Sequence, residues 1–505
     1  MSRTTGVVTT AGTGDLDAAP STEAYEAFKL EQRGIELVPE SDRKMRPSGL
    51  FWMWAGATWN VEFLVYGALL LTFGLSFYQA ILAILLGNIV YLFLGYASLW
   101  GPDTGTTAFM VSRAPFGRNG NRVPSLFNWI TQVGFEVEGI ALVVFFVIAM
   151  LAHEGSSVSA AGKALIVIAA VLVQFVMPFL GHATINKMLR WLSFIFIPVF
   201  IIMAILVIPH AHLSAMKPVS DSWWVWTTGV VLIVSTGGLG WTENAADYSR
   251  YLPANTSRQK TFWAATLGGA IPAILLELLG AAAFLVSPSV ATNATYLPNA
   301  FTAHYSWFFW PFVILALPQL FAINTIDMYS SGVTLQAIGL PLKRWGCIIV
   351  DTIVCGGITA LVIFKGNFYD DLAGFLDYIV VWLGPWFGIL SVDYILRRRR
   401  YDLASLATRH GGVFWRNGGF NWRALLSLGA GMFAAMMWID AAYYTPSYTG
   451  PISNATHGAD LSWLIGLVVG AVVYYVLSFR TVPDEAARSV SDMSGLLERI
   501  ESYQR

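Results

Sequence analysis

Five carboxyl groups lie deep within apolar stretches of this 505-residue chain. They belong to Glu62, Glu136, Glu138, Glu243 and Asp327. An ionised carboxylate costs several kcal/mol in such surroundings, and no lysine or arginine lies well inside these stretches to neutralise it. The acids can therefore hold protons, face a water-filled cavity, or bind a cation that is either a substrate or a coupling ion. We expect all five to serve function rather than to support the scaffold.

Helical spacing places some of these acids beside other polar groups. At about 100° per residue, Asn324, Asp327 and Ser331 share one face of a helix. Glu243 shares a face with Asp247 in the same way. The spacing therefore predicts two polar faces within otherwise apolar helices.

Other acids have a scaffold role open to them. Asp247 and Asp393 adjoin Arg250 and Arg397, so we expect them to cap helices or pair with arginine at the cytoplasmic surface. Glu277 could bond to a neighbouring polar group or take part in function, and both alternatives stay open. Three further acids lie nearer the ends of their stretches: Asp351, Asp377 and Asp440.

The elements that hold these acids must be membrane-spanning helices. Hydrophobic residues make up 56% of the chain and charged residues only 12%, about half the share in soluble domains. Twelve apolar stretches are long enough to cross a hydrocarbon layer of about 30 Å. They run over 50–73, 77–99, 124–152, 162–181, 189–209, 224–247, 261–286, 306–338, 346–364, 373–396, 424–444 and 459–479. Because backbone hydrogen bonds must close within each segment in lipid, we predict an all-α polytopic membrane protein with twelve transmembrane helices.

The basic residues orient these helices. With the N-terminus in the cytoplasm, 27 lysines and arginines fall in cytoplasmic segments and 3 in outer loops. This split predicts that both termini are cytoplasmic. Residues 1–49 lack the apolar core of a signal peptide and are expected to be mostly flexible. Residues 480–505 form a polar tail in which Leu496, Leu497 and Ile500 suggest a short amphipathic helix.

Composition and motifs argue against several other classes of protein. A net charge of −1 gives no indication of nucleic-acid binding. Cys347 and Cys355 are too few for a disulfide framework or a cysteine metal site. The chain has no Walker lysine motif, no GxSxG elbow and no His/Cys cluster in the spans, so we predict no enzyme activity, no cofactor and no metal. The expected partners are a small-molecule substrate and the lipid bilayer.

Two of the predicted helices contain interruptions. One lies at residues 56–60 (GATWN) and the other at 235–241 (STGGLGW). Gly237, Gly238 and Gly240 each weaken a helix by about 1 kcal/mol relative to alanine. The interruptions fall in the first and sixth spans, which are corresponding positions of two five-helix halves. This pattern indicates a transporter site near the membrane midplane.

Several short motifs occur in order along the chain. They are RGIELVP at 33–39, GLSFYQ at 74–79, GPDTG at 101–105, SRAPFG at 112–117, AADYSRYLP at 245–253, GP at 384–385 and DY at 393–394. Together they resemble the nucleobase–cation symport family of cytosine, purine, uracil, thiamine and allantoin permeases. The resemblance implies a leucine-transporter-like fold with two inverted five-helix repeats and two extra helices. It also implies cation-driven uptake of a small planar heterocycle by alternating access.

The resemblance implies a division of the chain into four parts. An N-terminal segment (1–49) precedes a ten-helix transport core (50–396), which consists of a first repeat (50–209) and a second repeat (224–396). Two peripheral helices (424–479) and a cytoplasmic tail (480–505) follow. The family resemblance and compact loops suggest a bacterial inner membrane, and we expect a monomer.

The resemblance also implies a substrate site. In the family the ring stacks between aromatic residues of the third and sixth helices, and amides on the third and eighth helices read its edge. The aromatic positions fall on Phe135, where tryptophan is usual, and on Trp241. The amide positions fall on Gly139, which has no side chain, and on Asp327. The implied substrate-binding set is Phe135, Glu138, Gly139, Gly237, Gly238, Trp241, Asn324 and Asp327, with the glycines supplying backbone groups.

Two departures from the family pattern bear on the substrate. An ionised Asp327 only accepts hydrogen bonds, which favours a substrate rich in N–H donors or a cationic one. Gly139 removes the second amide and is expected to leave open space in the pocket, with the carboxyl groups of Glu136 and Glu138 beside it. We expect import of cytosine or an aminopurine. The alternative is a cationic or multi-donor molecule, related to guanidinium, an amine or thiamine, that the intramembrane carboxylates recognise.

The coupling ion follows from a further departure. Sodium-coupled members bind the ion between first-helix carbonyls, which fall on Ala57 and Asn60, and eighth-helix residues, which fall on Phe321 and Ala322. The latter two offer no side-chain oxygen, which favours protons over sodium, although an alignment shift of three residues would bring in Thr325. The implied coupling set is Ala57, Asn60, Glu62, Glu136, Glu243 and Asp327, with Asp327, Glu62 or Glu243 as the proton carrier.

Overall fold

The computed structural model describes residues 33–176, 181–212, 224–442 and 447–488. α-Helices make up most of the described chain, as predicted. The expected amphipathic helix near Leu496 and most of the N-terminal segment lie outside the described residues.

The described end of the N-terminal segment packs against the helical core. Leu37 and Val38 are fully buried, and the Val38 N–H donates to the Gly105 carbonyl at 2.9 Å. Arg43 donates to the Pro102 carbonyl at 3.0 Å. The expectation of a mostly flexible segment is therefore wrong for residues 33–46, because their backbone and side-chain donors find partners in the loop after the second span.

The first two predicted spans are both interrupted. The helices of this region are α1 (Pro47–Thr58), α2 (Val61–Thr72), α3 (Phe77–Gly87), α4 (Tyr91–Ala97), α5 (Trp100–Thr104), α6 (Ala108–Val111) and α7 (Arg113–Phe116). Ser76 and Gln79 form a reciprocal capping box that starts α3. A 3₁₀ turn at Asn88–Val90 joins α3 to α4.

Three long helices complete the first half of the chain. They are α8 (Arg122–His153), α9 (Ala160–Val176) and α10 (Gly181–Val207). The predicted stretch at 162–181 therefore ends earlier as a described helix, and residues 177–180 lie outside the described residues.

The second half again begins with a split helix. Its helices are α11 (Trp226–Thr236), α12 (Ala245–Ser249), α13 (Arg258–Val286), α14 (Leu297–Phe301), α15 (Phe309–Ile338), α16 (Arg344–Lys365) and α17 (Phe368–Arg397). A 3₁₀ turn at Gly240–Glu243 lies between α11 and α12. Three more 3₁₀ turns flank α14, at Pro288–Ala291, Ala294–Tyr296 and Ser306–Phe308.

The C-terminal part is a helical pair with short additions. It contains α18 (Leu403–Ala407), α19 (Trp422–Trp438), α20 (Pro451–Ala455), α21 (Ser462–Ser478) and α22 (Thr481–Arg488). The predicted stretch at 424–444 ends as a helix at Trp438, and a two-residue strand β1 (Asp440–Ala441) pairs antiparallel with β2 (Tyr448–Thr449). α22 bends away from α21 by 70°.

Among the described residues, seven helical segments are long and apolar enough to cross a membrane, or eight if α21 and α22 count as one bent span. The seven are Phe77–Thr104, Arg122–His153, Ala183–His210, Arg258–Val286, Ser306–Ile338, Arg344–Lys365 and Phe368–Arg397. The other predicted spans coincide with split or shorter helices. A polytopic membrane protein is therefore confirmed.

The packing of the long helices brings the two split helices to the centre. α8 lies along α15, α1 and α2 pack on α13, and α11 packs on α3. α17 lies against α19 and α21 at the periphery. The Tyr248 hydroxyl of α12 donates to the Ile326 carbonyl of α15 at 2.8 Å, which fixes the second split helix against the α8–α15 pair.

Candidate functional site

The first helix breaks at Trp59 and Asn60, between α1 and α2. Asn60 adopts an extended backbone, with φ −143° and ψ 169°. Its Oδ1 accepts the Glu62 N–H at 2.7 Å, and its Nδ2 donates to the Ala57 carbonyl at 2.7 Å. One amide side chain thus satisfies backbone groups on both sides of the break, which is the usual work of a helix cap.

The second break follows α11 at Gly237. The Gly237 N–H donates to the Ile233 carbonyl at 2.9 Å, and its carbonyl accepts the Trp241 N–H at 3.2 Å. A Cβ on Gly238 would lie 2.2 Å from the backbone nitrogen of Tyr91 in α4. Gly238 is therefore needed for close packing on α4, and the backbone of Gly237 already has partners within the chain.

Three acids meet beside the first break, and we call this group the chamber acids: Glu62, Glu138 and Asp327. Glu62 lies in the first turn of α2, Glu138 in α8 and Asp327 in α15. The Tyr66 hydroxyl donates to Glu138 Oε2 at 2.9 Å. The three carboxyl groups are 7%, 3% and 5% exposed and lie close enough to repel one another when ionised. The structure thus joins three residues that the sequence placed on three separate helices.

Several buried polar atoms around the two breaks lack a hydrogen-bond partner within the described residues. They include four acceptors, Glu138 Oε1, Glu243 Oε2, Asn324 Oδ1 and Asp327 Oδ1, and two indole donors, Trp54 Nε1 and Trp241 Nε1. Unpaired buried polar atoms are rare in folded proteins, and they commonly indicate a ligand or bound water. The excess of acceptors favours a ligand that supplies N–H groups.

Glu243 lies in the 3₁₀ turn of the second break and is held from α8. Gln132 Nε2 donates to Glu243 Oε1 at 2.6 Å and to Asn244 Oδ1 at 3.1 Å. Glu243 also lies within electrostatic range of Asp327. It therefore borders the chamber acids, while Gln132 orients its carboxyl group.

Glu136 does not belong to the chamber acids. Its carboxyl group lies against Asp351 of α16, which also accepts hydrogen bonds from Trp129 and Ser331. Asp351 is fully buried, although the sequence placed it nearer the end of its span. α16 packs on α8 and α15, and Asp351 lies on the face of α16 that contacts them.

Asn324 fills the space that was expected to be open at Gly139. A Cβ on Gly139 would lie 3.0 Å from Cγ of Asn324. Asn324 Nδ2 donates to the Glu136 carbonyl at 3.2 Å, so its Oδ1 remains available. The expectation that Gly139 leaves room is wrong, because α15 supplies an amide where α8 lacks one.

The two expected aromatic residues are each half-buried and packed edge-on against another ring. Trp241 lies 5.5 Å from the Trp54 ring, at an interplanar angle of 67°. Phe135 lies 5.2 Å from the Phe375 ring, at 81°. Each ring is thus held by a neighbour on α1 or α17, which leaves its face for other contacts.

Three other buried acids are tied to the scaffold. Asp247 accepts the Ala108 N–H at 2.9 Å, at the start of α6, and Glu277 accepts from the Asn88 amide at 2.5 Å. A third acid, Asp393, forms an ion pair with Arg397 at 2.7 Å. These contacts agree with capping or pairing for Asp247 and Asp393, and with the scaffold alternative for Glu277.

A cavity of about 360 Å³ lies between α8, α16 and α17. Its walls are mostly apolar, and Glu138 is the chamber acid that reaches it. Ile130 and Ile358 on its rim are 53% and 39% exposed, so the cavity opens toward the lipid-facing surface. It is large enough for a small molecule.

Comparison with known proteins decides the family. The model of the family described as "Permease for cytosine/purines, uracil, thiamine, allantoin" matches residues 37–466. The chain belongs to this family.

Relatives of this family align over nearly the whole chain. The purine-cytosine permease FCY2 of Saccharomyces cerevisiae is 26% identical over 485 residues, which cover 90% of this chain and 86% of that protein. The cytosine permease of Escherichia coli K12 is 26% identical over 442 residues, which cover 85% and 92%. The protein is therefore a permease of the nucleobase–cation symport family rather than an enzyme.

Solved structures show the same fold. Mhp1, a nucleobase-cation-symport-1 family transporter in a closed conformation with bromovinylhydantoin bound, superposes with a TM-score of 0.70 at 19% identity. The match covers 94% of this chain and 99% of Mhp1. The inward-facing conformation of Mhp1 gives a TM-score of 0.66. The fold is thus that of the Mhp1-type, leucine-transporter-like proteins.

Of the two carbonyls expected to bind a cation, that of Ala57 already accepts an amide N–H group, and so does the neighbouring Gly56 carbonyl. Besides the bond from Asn60 to Ala57, Gln319 Nε2 donates to the Gly56 carbonyl at 3.5 Å. The Thr325 hydroxyl donates to the Phe321 carbonyl at 2.7 Å. The hydroxyl that an alignment shift would bring in is therefore engaged within its own helix.

Sequence reasoning missed the partners that hold these acids. Tyr66 donates to Glu138 and Gln132 donates to Glu243, and each contact joins two separate parts of the chain, so spacing along one helix could not have indicated either. Asp351 belongs to a buried stripe at intervals of four residues on α16, formed by Cys347, Asp351, Cys355 and Thr359. That spacing was a readable signal for a buried acid.

Proposed function

We propose that this permease imports a neutral, nitrogen-rich heterocycle such as cytosine or an aminopurine, together with protons, by alternating access. The observation that carries the proposal is the excess of unpaired acceptors around the two helix breaks. An aminopyrimidine or aminopurine edge supplies the N–H donors that these atoms lack.

The proposed architecture has twelve transmembrane helices and two inverted repeats, at 50–209 and 224–396. The helix packing supports these repeats. The first span (α1 and α2) packs on the seventh (α13), and the sixth span (α11) packs on the second (α3). An inverted repeat predicts this exchange of partners. The third and eighth helices, α8 and α15, pack on each other as an inverted pair would. The basic-residue distribution supports cytoplasmic termini. The family and the compact loops support a bacterial inner membrane.

The proposed proton carrier is Asp327, with Glu62 and Glu243 as the alternatives. A protonated carboxyl group both donates and accepts, as the amide expected at this position would, whereas an ionised one only accepts. Loading Asp327 with a proton therefore restores the recognition pattern for a heterocycle. Substrate and proton would then bind together, which is the thermodynamic requirement for symport.

Protons are favoured over sodium by the state of the candidate cation ligands. The Ala57 carbonyl faces the Asn60 amide nitrogen, and Phe321 and Ala322 contribute no side-chain oxygen. A hard cation such as sodium prefers several oxygen ligands. The chamber acids, in contrast, have no basic residue within ion-pairing distance among the described residues, so each must be neutralised in another way.

A cationic substrate is the second candidate, and the same acids favour it. A guanidinium, amine or thiamine-like cation could neutralise Glu62, Glu138 and Asp327 in place of a proton. Trp241 would serve either substrate, by stacking or by a cation–π contact. The two candidates differ in whether substrate charge or proton charge balances the chamber acids.

Counterflow in proteoliposomes separates these candidates. Purified full-length protein would exchange labelled cytosine or adenine against unlabelled cytosine, adenine, guanidinium, agmatine or thiamine. A pH gradient and a sodium gradient would then be imposed separately. We expect competition by the two nucleobases and accumulation driven by the pH gradient.

Each other result contradicts one part of the proposal. Competition by the cations alone would replace the substrate with the second candidate. Accumulation driven only by sodium would overturn proton coupling. Asp484→Asn, at an exposed acid of α22, is the matched control for Asp327→Asn and should transport normally.

A further inference from the structure

A second pair of acids lies between α8 and α16. Glu136 is fully buried, and neither of its carboxyl oxygens has a donor within the described residues. Its carboxyl group lies within hydrogen-bonding reach of the Asp351 carboxyl group. Two carboxyl groups in that contact need a proton between them, because two carboxylates would present only acceptors and like charges.

The donors around Asp351 show which acid carries the charge. Trp129 Nε1 donates to Asp351 Oδ1 at 2.8 Å, and the Ser331 hydroxyl donates to Oδ2 at 2.6 Å. Both Asp351 oxygens therefore accept, which stabilises an ionised carboxylate. The Ser331 hydroxyl and the Cys355 thiol also lie beside Glu136, but the hydroxyl donates to Asp351, and neither Glu136 oxygen has a partner at normal hydrogen-bond distance within the described residues. The proton therefore belongs on Glu136 and points toward Asp351.

From this arrangement we infer that Glu136 and Asp351 share one proton and form a second proton-binding site of the transport cycle, separate from the chamber acids. The inference rests on the proposed proton-coupled transport. The titratable groups that face Glu136 are Asp351 and Cys355 on α16 and Asp327 on α15. Neither acid of the pair has a lysine or arginine within ion-pairing distance in the described part of the chain.

The pair is connected to the substrate helices through α15. Ser331 lies one helical turn from Asp327, and Asn324 donates to the Glu136 carbonyl at 3.2 Å. A proton that leaves the pair would go to Asp327 in the chamber, from which it reaches water. Two negative charges would then face each other between α8 and α16, so proton release must accompany a shift of α16 away from α8.

Glu136→Gln tests this site because it holds the pair permanently in a form that resembles the proton-bound one. The glutamine amide donates to Asp351 as the shared proton does, and the side chain keeps its shape. We expect the variant to keep nucleobase counterflow within about twofold of wild type, since exchange needs no net proton movement. Accumulation driven by a pH gradient should fall at least tenfold, and Asp351→Asn should behave in the same way.

Glu277→Gln is the matched control, because Glu277 is also fully buried and accepts from one amide, that of Asn88. It should keep both counterflow and accumulation. Wild-type accumulation by Glu136→Gln would overturn the inference, as would an equal loss in Glu277→Gln. Failure of both pair variants to fold would also overturn it, since an amide–carboxylate contact should pack as the shared-proton pair does. Absence of counterflow in the wild-type protein would instead reject the proposed function.

Discussion

Asn324 of α15 occupies the space that a side chain at Gly139 of α8 would need, with its Cγ 3.0 Å from the position of a Cβ on that glycine. The amide expected on the third helix is thus supplied by the eighth. Asn324 Nδ2 donates to the Glu136 carbonyl, and Asn324 Oδ1 remains available as an acceptor. The departure from the family pattern at Gly139 is therefore matched by Asn324 on the facing helix.

This pairing predicts the effect of enlarging Gly139. Gly139→Ala should displace Asn324 by a few tenths of an ångström and destabilise the protein by about 1–3 kcal/mol, the usual range for overpacking. Gly139→Asn alone should abolish counterflow. The double variant Gly139→Asn with Asn324→Gly should recover part of it, because the amide returns to α8. Counterflow and thermal unfolding of the three variants check this, and an inactive double variant with normal stability would contradict it.

Asp327→Asn should abolish uptake of the native substrate or redirect the permease to another one. An amide cannot gain or lose a proton, so the variant keeps the donor and acceptor of the protonated acid but cannot return to the ionised form that completes a cycle of proton-coupled uptake. Uptake of labelled cytosine and adenine at several pH values measures the effect. Near-normal uptake with unchanged pH dependence would remove Asp327 from the site.

Asn60→Ala should destabilise the start of α2. The substitution removes the cap on the Glu62 N–H, at a cost of about 0.5–2 kcal/mol, and frees the Ala57 carbonyl. We expect a lower unfolding temperature and reduced transport. Asn60→Ser is the control, because its hydroxyl can keep the cap while it releases Ala57. Equal stability of the alanine and serine variants would show that the cap contributes nothing.

One acid of the C-terminal helix α22, Glu485, pairs with two arginines of preceding segments. Glu485 accepts from Arg397 at 3.0 Å and from Arg416 Nε at 2.5 Å. Partial burial alone would raise the pKa of Glu485, but the hydrogen bonds and charges of Arg416 and Arg397 outweigh it and hold that pKa below its ordinary value of 4.5. The contact therefore contributes stability above the ordinary pKa and loses it as the pH falls through the lowered value.

Acid should release α22 before it unfolds the core. Protection of residues 481–488 against hydrogen exchange, taken relative to the intrinsic exchange rate at each pH, should be high near neutral pH and fall as the pH drops through the lowered pKa of Glu485. Glu485→Gln should exchange fast already at neutral pH, with little further effect of acid. Asp484→Asn, at an exposed neighbour on the same helix, should match the wild type. Slow exchange in Glu485→Gln would show that other contacts hold α22.

Much of the fold could be predicted because long apolar stretches in the sequence identify membrane-spanning helices. The positions of the two breaks were also predictable, since Asn60 and the glycines at 237–240 are poor helix formers. The sequence could not place Asp351 against Glu136, because that contact depends on how α16 packs on α8 in three dimensions. Nor could it show that Asn324 fills the space at Gly139, since the distance between α8 and α15 is set by packing along both helices.

Proton-coupled import is tested most directly by measuring the pH inside proteoliposomes while the substrate enters. A trapped pH-sensitive dye would record the lumen after addition of cytosine or adenine, with no gradient imposed. Proton symport should acidify the lumen in step with uptake of the labelled substrate, and Asp327→Asn should abolish this acidification. Substrate entry at an undiminished rate without any change in internal pH would contradict it.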